Sequence, residues 1–148
     1  MKDDALLELA GRYRESLRHA VYLIRSLDAE GELSTAQVST LNMVAEGPAR
    51  VSDIARNSGI RVPSATEQII RLEAARLVTR GPDAHDARVV LVSLTPKGRE
   101  VLAGANNRRN KMLAAQLATL SAADREAITA AIPALNRLSI ALGRPPYR

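Results

Sequence analysis

The sequence predicts a mainly α-helical chain carrying one small β-hairpin, and three observations predict it. Leu6, Leu9, Tyr13, Leu17, Ala20, Ile24 and Leu27 recur at spacings of three and four, the period of a helix with one apolar face. Aromatic residues make up only 2% of the chain (Tyr13, Tyr22 and Tyr147, with no Phe or Trp), so the core must be built from Leu, Ile, Val, Ala and Met. That favours helix packing over a β-sandwich, because strands are usually rich in aromatic and β-branched residues. A single β-branched run, Arg88-Val-Val-Leu-Val-Ser-Leu94, supplies the exception.

Taken in order, the apolar period predicts a long helix from about Asp4 to Asp28, ended by Gly31. Ser34 with Gln37 has the form of a capping box and opens a second helix running to about Ala45, which Gly47-Pro48 breaks. Ser52 is placed to cap a short helix to Ser58, and Gly59 closes it, since glycine enters the left-handed conformation cheaply. Pro63 suits the first position of the next helix, in which Ala65, Ile69, Leu72 and the stem of Arg76 share one face as far as about Ala75.

Val78-Thr79-Arg80, a turn-rich Gly-Pro-Asp-Ala-His-Asp-Ala segment and the run from Arg88 to Leu94 read as a hairpin whose loop is too long for a two-residue turn. Thr95-Pro96 caps a helix to about Leu120. Ser121, with Asp124 three residues on, caps another from Ala122 to Leu142, which Pro133 should kink or shorten. The polar run from Asn106 to Lys111 interrupts any apolar stripe and reads as a solvated midsection or a basic patch facing a polyanionic backbone.

Composition narrows the function classes. At 148 residues, 46% of them hydrophobic, the chain suits one compact domain or one protomer of a small oligomer. The absence of cysteine excludes disulfides, thiolate nucleophiles, thiol redox switches and cysteine zinc sites together. The acidic start, MKDDALLELAGR, is not a secretory signal and no long apolar run offers a membrane span, so a cytoplasmic location is expected. No nucleophile–base pairing, phosphate-binding loop or metal-ligand spacing stands out, so an enzyme is not expected. The net charge of +5 points weakly to a polyanionic partner, but its distribution is uneven. Residues 1–33 carry −2, residues 34–100 carry +2 and residues 101–148 carry +5.

Two helices joined by a glycine turn, followed by a hairpin, make a winged helix-turn-helix. Ala55 lets the helices approach, Gly59 makes the turn and Ile60 is expected to plug the joint. Steps of about 100° per residue put Ala65, Ile69 and Leu72 inward on the second helix and leave Pro63, Ser64, Glu67 and Arg71 outward, flanked by Thr66 and Gln68. Arg71 suits guanine, Gln68 adenine, and Ser64 or Thr66 a phosphate or a base edge. Glu67 has two readings, a base contact or the second half of a Ser64-x-x-Glu67 capping box. Arg50, Ser52 and Arg61 complete the expected contacts on this side.

In the loop Asp83-Ala84-His85-Asp86-Ala87-Arg88, adjacent and next-but-one ligands do not converge on an ion, so a wing tip rather than a metal site is expected. Asp86 pairs there with Arg88, so that Arg88 or His85 enters a narrow minor groove; a plain surface ion pair is the alternative.

These residues resemble the MarR family of dimeric winged-helix transcriptional regulators. The resemblance is carried by LSTAQVSTLNMVAEGPARVSDIARNSGIRVPSATEQIIRLEAARLVTR, then by DAR and LTPKG, from about Leu33 to Gly98. Ala87 stands where many members have a second Arg, and Ala75 where the family usually has Gly. The resemblance implies Pro63 to Ala75 as the recognition helix and Asp86-x-Arg88 as the wing motif. It divides the chain into an N-terminal dimerisation helix (1–33), a winged helix-turn-helix (34–98) and C-terminal dimerisation helices (99–148) in one intertwined domain. It further implies a homodimeric repressor on double-stranded DNA with a pseudo-palindromic operator, released by a small aromatic effector. Tyr13, Arg18, His19 and Tyr22 are the candidates to line that effector's cleft, although Tyr13 also reads as a packing residue on the apolar stripe. A winged-helix adaptor that binds protein instead of specific DNA is the rival.

Overall fold

The computed structural model describes residues 3–28 and 31–143. The chain divides into two compact units, 1–35 and 36–148. The first holds α1 (Asp3–Asp28), unbroken over its 26 residues and carrying two aspartates in its first turn, where carboxylates offset the positive end of the helix dipole. Leu6, Leu9, Leu17 and Ile24 of its predicted stripe are all exposed, whereas the Leu27 side chain lies outside the described residues.

After α1 the chain runs α2 (Thr35–Ala45), whose first residue closes the first unit, and then, within the second unit, β1 (Ala49–Arg50), α3 (Val51–Ser58), α4 (Val62–Ala74), β2 (Val78–Pro82), β3 (Val90–Leu94), α5 (Pro96–Leu117) and α6 (Ala122–Ala141). Its core gathers Val38, Leu41 and Val44 of α2, Ile54 and Ala55 of α3, Ala65, Ile69 and Leu72 of α4, Val78 and Val92 of the sheet, and Leu102 and Ala105 of α5. The inward trio of α4 is wholly buried, as its spacing predicts.

The sheet has three strands where the sequence predicts two. β3 is central, pairing antiparallel with β2 (Val78 opposite Leu94) and with the added strand β1 (Ala49 opposite Val92, Arg50 opposite Leu91). Because that pairing holds Arg50 extended (φ −73°, ψ 146°), α3 begins at Val51. Arg50 therefore occupies the N-cap position without a side-chain cap, and Ser52 is an exposed residue of the first turn rather than the expected cap.

Other boundaries hold for the expected reasons. Gly59 closes α3 in the left-handed region at φ 66°, and the Ile60 amide donates to the Ala55 carbonyl at 3.0 Å. Ile60 itself is 39% exposed and does not plug the joint. The Thr95 hydroxyl accepts from the Gly98 amide at 2.9 Å, and the Ser121 hydroxyl accepts from the Asp124 amide at 3.1 Å, so both predicted caps form.

Further differences concern ends and interiors. α5 stops at Leu117, and α6 runs through Pro133 without being shortened. Asn106, within the polar run, is half-buried and its amide donates to the Asn42 side chain at 3.0 Å, so it fastens α5 to α2 instead of facing water. No described residue of α6 is buried, although Ile128, Ile132, Leu135 and Leu138 lie on it.

Candidate nucleic-acid interface

α3 and α4 are joined by the three residues Gly59, Ile60 and Arg61, the short turn of a helix-turn-helix. Arg61 is the N-cap of α4, extended at φ −75° and ψ 151°, and its carbonyl accepts from the Ala65 amide. The helix thus starts at Val62, with Pro63 inside its first turn. Ser64 then lies within the helix, so the Ser64–Glu67 capping box does not form. Glu67 instead accepts from the Arg71 guanidinium one turn on, with both side chains about two-thirds exposed. Pro63, Ser64, Glu67 and Arg71 all face outward, and Thr66 and Gln68 are half-buried on the flanks, as expected. Ile70, an apolar residue outside the Ala65–Ile69–Leu72 period, is 48% exposed on this same outward face.

The far end of α4 is fastened on three sides. Arg76 is not part of the inward face; it has left the helix in the left-handed region at φ 62°, with its side chain exposed. The Thr95 hydroxyl donates to the Arg76 carbonyl at 2.7 Å, and the Lys97 ammonium donates to the Ala75 carbonyl at 3.1 Å, which satisfies acceptors that a helix C-terminus leaves open. Gly98 lies so close that a Cβ there would stand 2.0 Å from the Leu77 carbonyl oxygen. Glu73 takes both the backbone N–H and the guanidinium of Arg80, at 3.0–3.1 Å, and so ties the last turn of α4 to β2. The bonded Arg80 guanidinium holds the Glu73 carboxyl below its ordinary range.

The hairpin loop resolves the Asp-Ala-His-Asp-Ala-Arg segment into two successive turns of one kind. Asp83 accepts from the His85 backbone amide and Asp86 from the Arg88 backbone amide, each at 3.0 Å, the Asx-turn geometry in which a carboxylate mimics a backbone acceptor. Both carboxylates are thereby turned onto their own backbone. Among the described residues, no group of three or more His, Cys, Asp or Glu gathers to hold an ion.

Asp86 also accepts from the Arg88 guanidinium, at 3.1 and 3.4 Å, and the Arg88 side chain stands 91% exposed. The Arg88 side-chain bond, and then its backbone N–H, hold Asp86 below the usual carboxylate range, with Arg50 adding to the effect. A depressed carboxylate stays ionised until pH falls through its lowered pKa, so this clamp persists throughout the neutral range. His85 is exposed at the same tip. Arg50, placed on β1 by the strand that the sequence did not reveal, lies 3.9 Å from Asp83, where the hairpin loop begins.

Arg56 pairs with Asp53 as well, so five arginines of this region, Arg50, Arg56, Arg71, Arg80 and Arg88, each hold a carboxylate partner. This pairing is the physical form of the low net charge of residues 34–100.

The effector candidates are split by helix geometry. Tyr13 and Tyr22 are nine residues apart on an unbroken helix and so stand about 180° from one another. Arg18, His19 and Tyr22 share one exposed side, where Arg18 meets Glu15 at 3.5 Å, and half-buried Tyr13 does not join them.

A helix-turn-helix whose second helix presents polar side chains, braced to a wing with an exposed arginine at its tip, defines a DNA-binding winged-helix transcriptional regulator. The comparisons agree. A MarR family profile matches residues 32–89. An uncharacterised HTH-type transcriptional regulator of Mycobacterium bovis, Mb0904, is 33% identical over 109 residues, covering 73% of this chain and 76% of that protein. The transcriptional regulator BldR from Sulfolobus solfataricus is 28% identical with a TM-score of 0.70, over 93% of this chain and 99% of BldR. A MarR family protein from Bacillus stearothermophilus gives a TM-score of 0.74 at 22% identity, over 97% and 99%. The chain belongs to the MarR family of transcriptional regulators, a non-enzymatic family. No described helix is long and apolar enough to cross a membrane.

Proposed function

We propose that the chain is a cytoplasmic homodimeric repressor that binds a pseudo-palindromic operator. Its two copies of α4 enter successive major grooves about 34 Å apart and its wings enter the flanking minor grooves. The observation that carries this reading is Arg88, almost fully exposed at the wing tip yet held in one geometry by Asp86, which suits a guanidinium poised for a narrow minor groove. Residues 34–98 are the reading region, with Arg50, Ser52 and Arg61 on phosphates, and Pro63, Ser64, Thr66, Glu67, Gln68 and Arg71 along the major groove. Residues 1–33 and 99–148 form the dimer. The exposed apolar faces of α1 and α6 support that assignment, since neither face is stable in water over such an extent.

Selection of bound sequences from random DNA by the purified protein tests the proposal. A two-fold symmetric motif is the expected result, and enrichment of no sequence would favour a protein-binding adaptor. Release by a small aromatic effector is carried over from the family, with Arg18, His19 and Tyr22 as its contacts. Displacement of the selected DNA by aromatic acids, lost on Tyr22→Ala, is its test.

The wing gives a sharper expectation. Arg88→Ala should reduce the slope of log K against log salt by about one per subunit, because one guanidinium fewer displaces condensed counterions. Asp86→Ala should weaken binding through lost preorganisation while leaving the slope nearly unchanged. Titrations at several salt concentrations separate the two, and an unchanged slope for Arg88→Ala would remove Arg88 from the contacts.

A further inference from the structure

Among the described residues between 31 and 100, four large apolar side chains are exposed: Ile60, Val62, Ile70 and Val90. Three of these belong to α4 or to the turn that enters it. None contributes to the core that Ala65, Ile69 and Leu72 build on the other side of that helix. Val62, Thr66 and Ile70 follow one another at four-residue steps, so their β-branched side chains form a row of methyl groups along one flank of α4. Ser64, Glu67 and Arg71 occupy the other flank.

The two flanks suit different features of a major groove. Donors and acceptors on base edges meet the polar flank, whereas the apolar feature a base pair presents there is the C5-methyl group of thymine. We propose that the Thr66–Ile70 row reads thymine methyl groups in the operator, and that each half-site therefore contains thymines at fixed positions. This rests on the DNA-binding reading above and adds the base it selects. A protein partner fits the row poorly. A stable protein interface engages about 20–30 residues a side, and this row is three side chains wide between Arg61, Glu67 and Arg71.

The test uses the selected operator resynthesised with each thymine in turn replaced by uracil, which deletes the methyl and leaves every hydrogen-bonding group in place. The native protein should lose about fourfold in affinity at the contacted positions, the factor that corresponds to one buried methyl group. Ile70→Ala should bind the thymine and uracil operators alike at one or more of those positions. It keeps a strong helix former at an exposed site, so it should fold, and circular dichroism checks that. Val90→Ala, an apolar truncation away from α4, should keep the discrimination. Equal binding of thymine and uracil operators by the native protein overturns the methyl reading and leaves DNA binding intact, as does full discrimination by Ile70→Ala. Failure to select any sequence overturns both.

Discussion

Gly98→Ala is expected to destabilise the chain by about 3–5 kcal/mol, more than any single surface change, and to be visible as a lowered denaturant midpoint. The added Cβ would lie 2.0 Å from the Leu77 carbonyl oxygen and 2.9 Å from Leu94 Cδ1. The nearest atom is backbone, so no rotamer change relieves the clash. Relief would require the first turn of α5 to move away from the start of β2. That movement would break the Thr95 amide's bond to the Leu77 carbonyl and disturb the Thr95–Gly98 cap. Each lost bond or cap adds about 1 kcal/mol to the overpacking cost. Gly104 is the control: a Cβ there meets only the far end of Arg108, at 3.6 Å. Gly104→Ala should be neutral or stabilising by about 0.5–1 kcal/mol, because alanine replaces glycine inside a helix. Equal unfolding midpoints for Gly98→Ala and the native protein would show that the Leu77–Gly98 approach is not rigid.

The same joint explains why the Leu-Thr-Pro-Lys-Gly motif stands where it does. Thr95 and Lys97 satisfy carbonyls at the C-terminal end of α4, and Gly98 lets α5 begin against β2. Glu73 and Arg80 add a fork from the last turn of α4 to the wing's first strand. The reading helix, the wing and the start of α5 are therefore one braced assembly. Glu73, held below its ordinary range by the bonded Arg80, keeps that fork ionised at any pH at which carboxylates are normally charged, and Asp86 does the same for its clamp on Arg88 at the wing tip.

What could be read from the sequence was local. Gly59, Thr95-Pro96, Ser121 with Asp124, and the Ala65–Ile69–Leu72 period each act within one or two helical turns, and each is where it was expected. What could not be read depends on distant partners. β1 is two residues long and exists because Ala49 and Arg50 meet Leu91 and Val92 some forty residues on, so no periodicity announces it. That pairing also moves the N-cap of α3 back from Ser52 to Arg50. The Glu73–Arg80 fork needs the chain to leave α4, pass through Arg76 and return along β2 before the two groups face each other. Ile70 carried no local signal of its own: it lies outside the Ala65–Ile69–Leu72 period, and only its exposure shows it on the outward side of α4.

Arg71→Ala is expected to cost about 1–3 kcal/mol in operator affinity at one base pair, and to relax the preference there while leaving random-sequence binding nearly unchanged. In the free protein Arg71 is held by Glu67 one helical turn earlier, on a surface where both side chains are mostly in water. Such an exposed pair is worth only about 0.3–0.5 kcal/mol, less than a bidentate contact to guanine, so DNA wins the guanidinium from the carboxylate. Once released, Glu67 faces a phosphate-rich groove as an uncompensated negative charge. Glu67→Gln should therefore raise affinity for random DNA more than for the selected operator and so lower specificity, the opposite signature from Arg71→Ala. Competition between operators carrying each of the four base pairs at the contacted position reads both effects. Combining the two substitutions measures how far the residues act as one unit. An equal loss of affinity for selected and random DNA on Arg71→Ala would make Arg71 a phosphate contact, and base selection by the polar flank would then pass to Ser64 and Gln68.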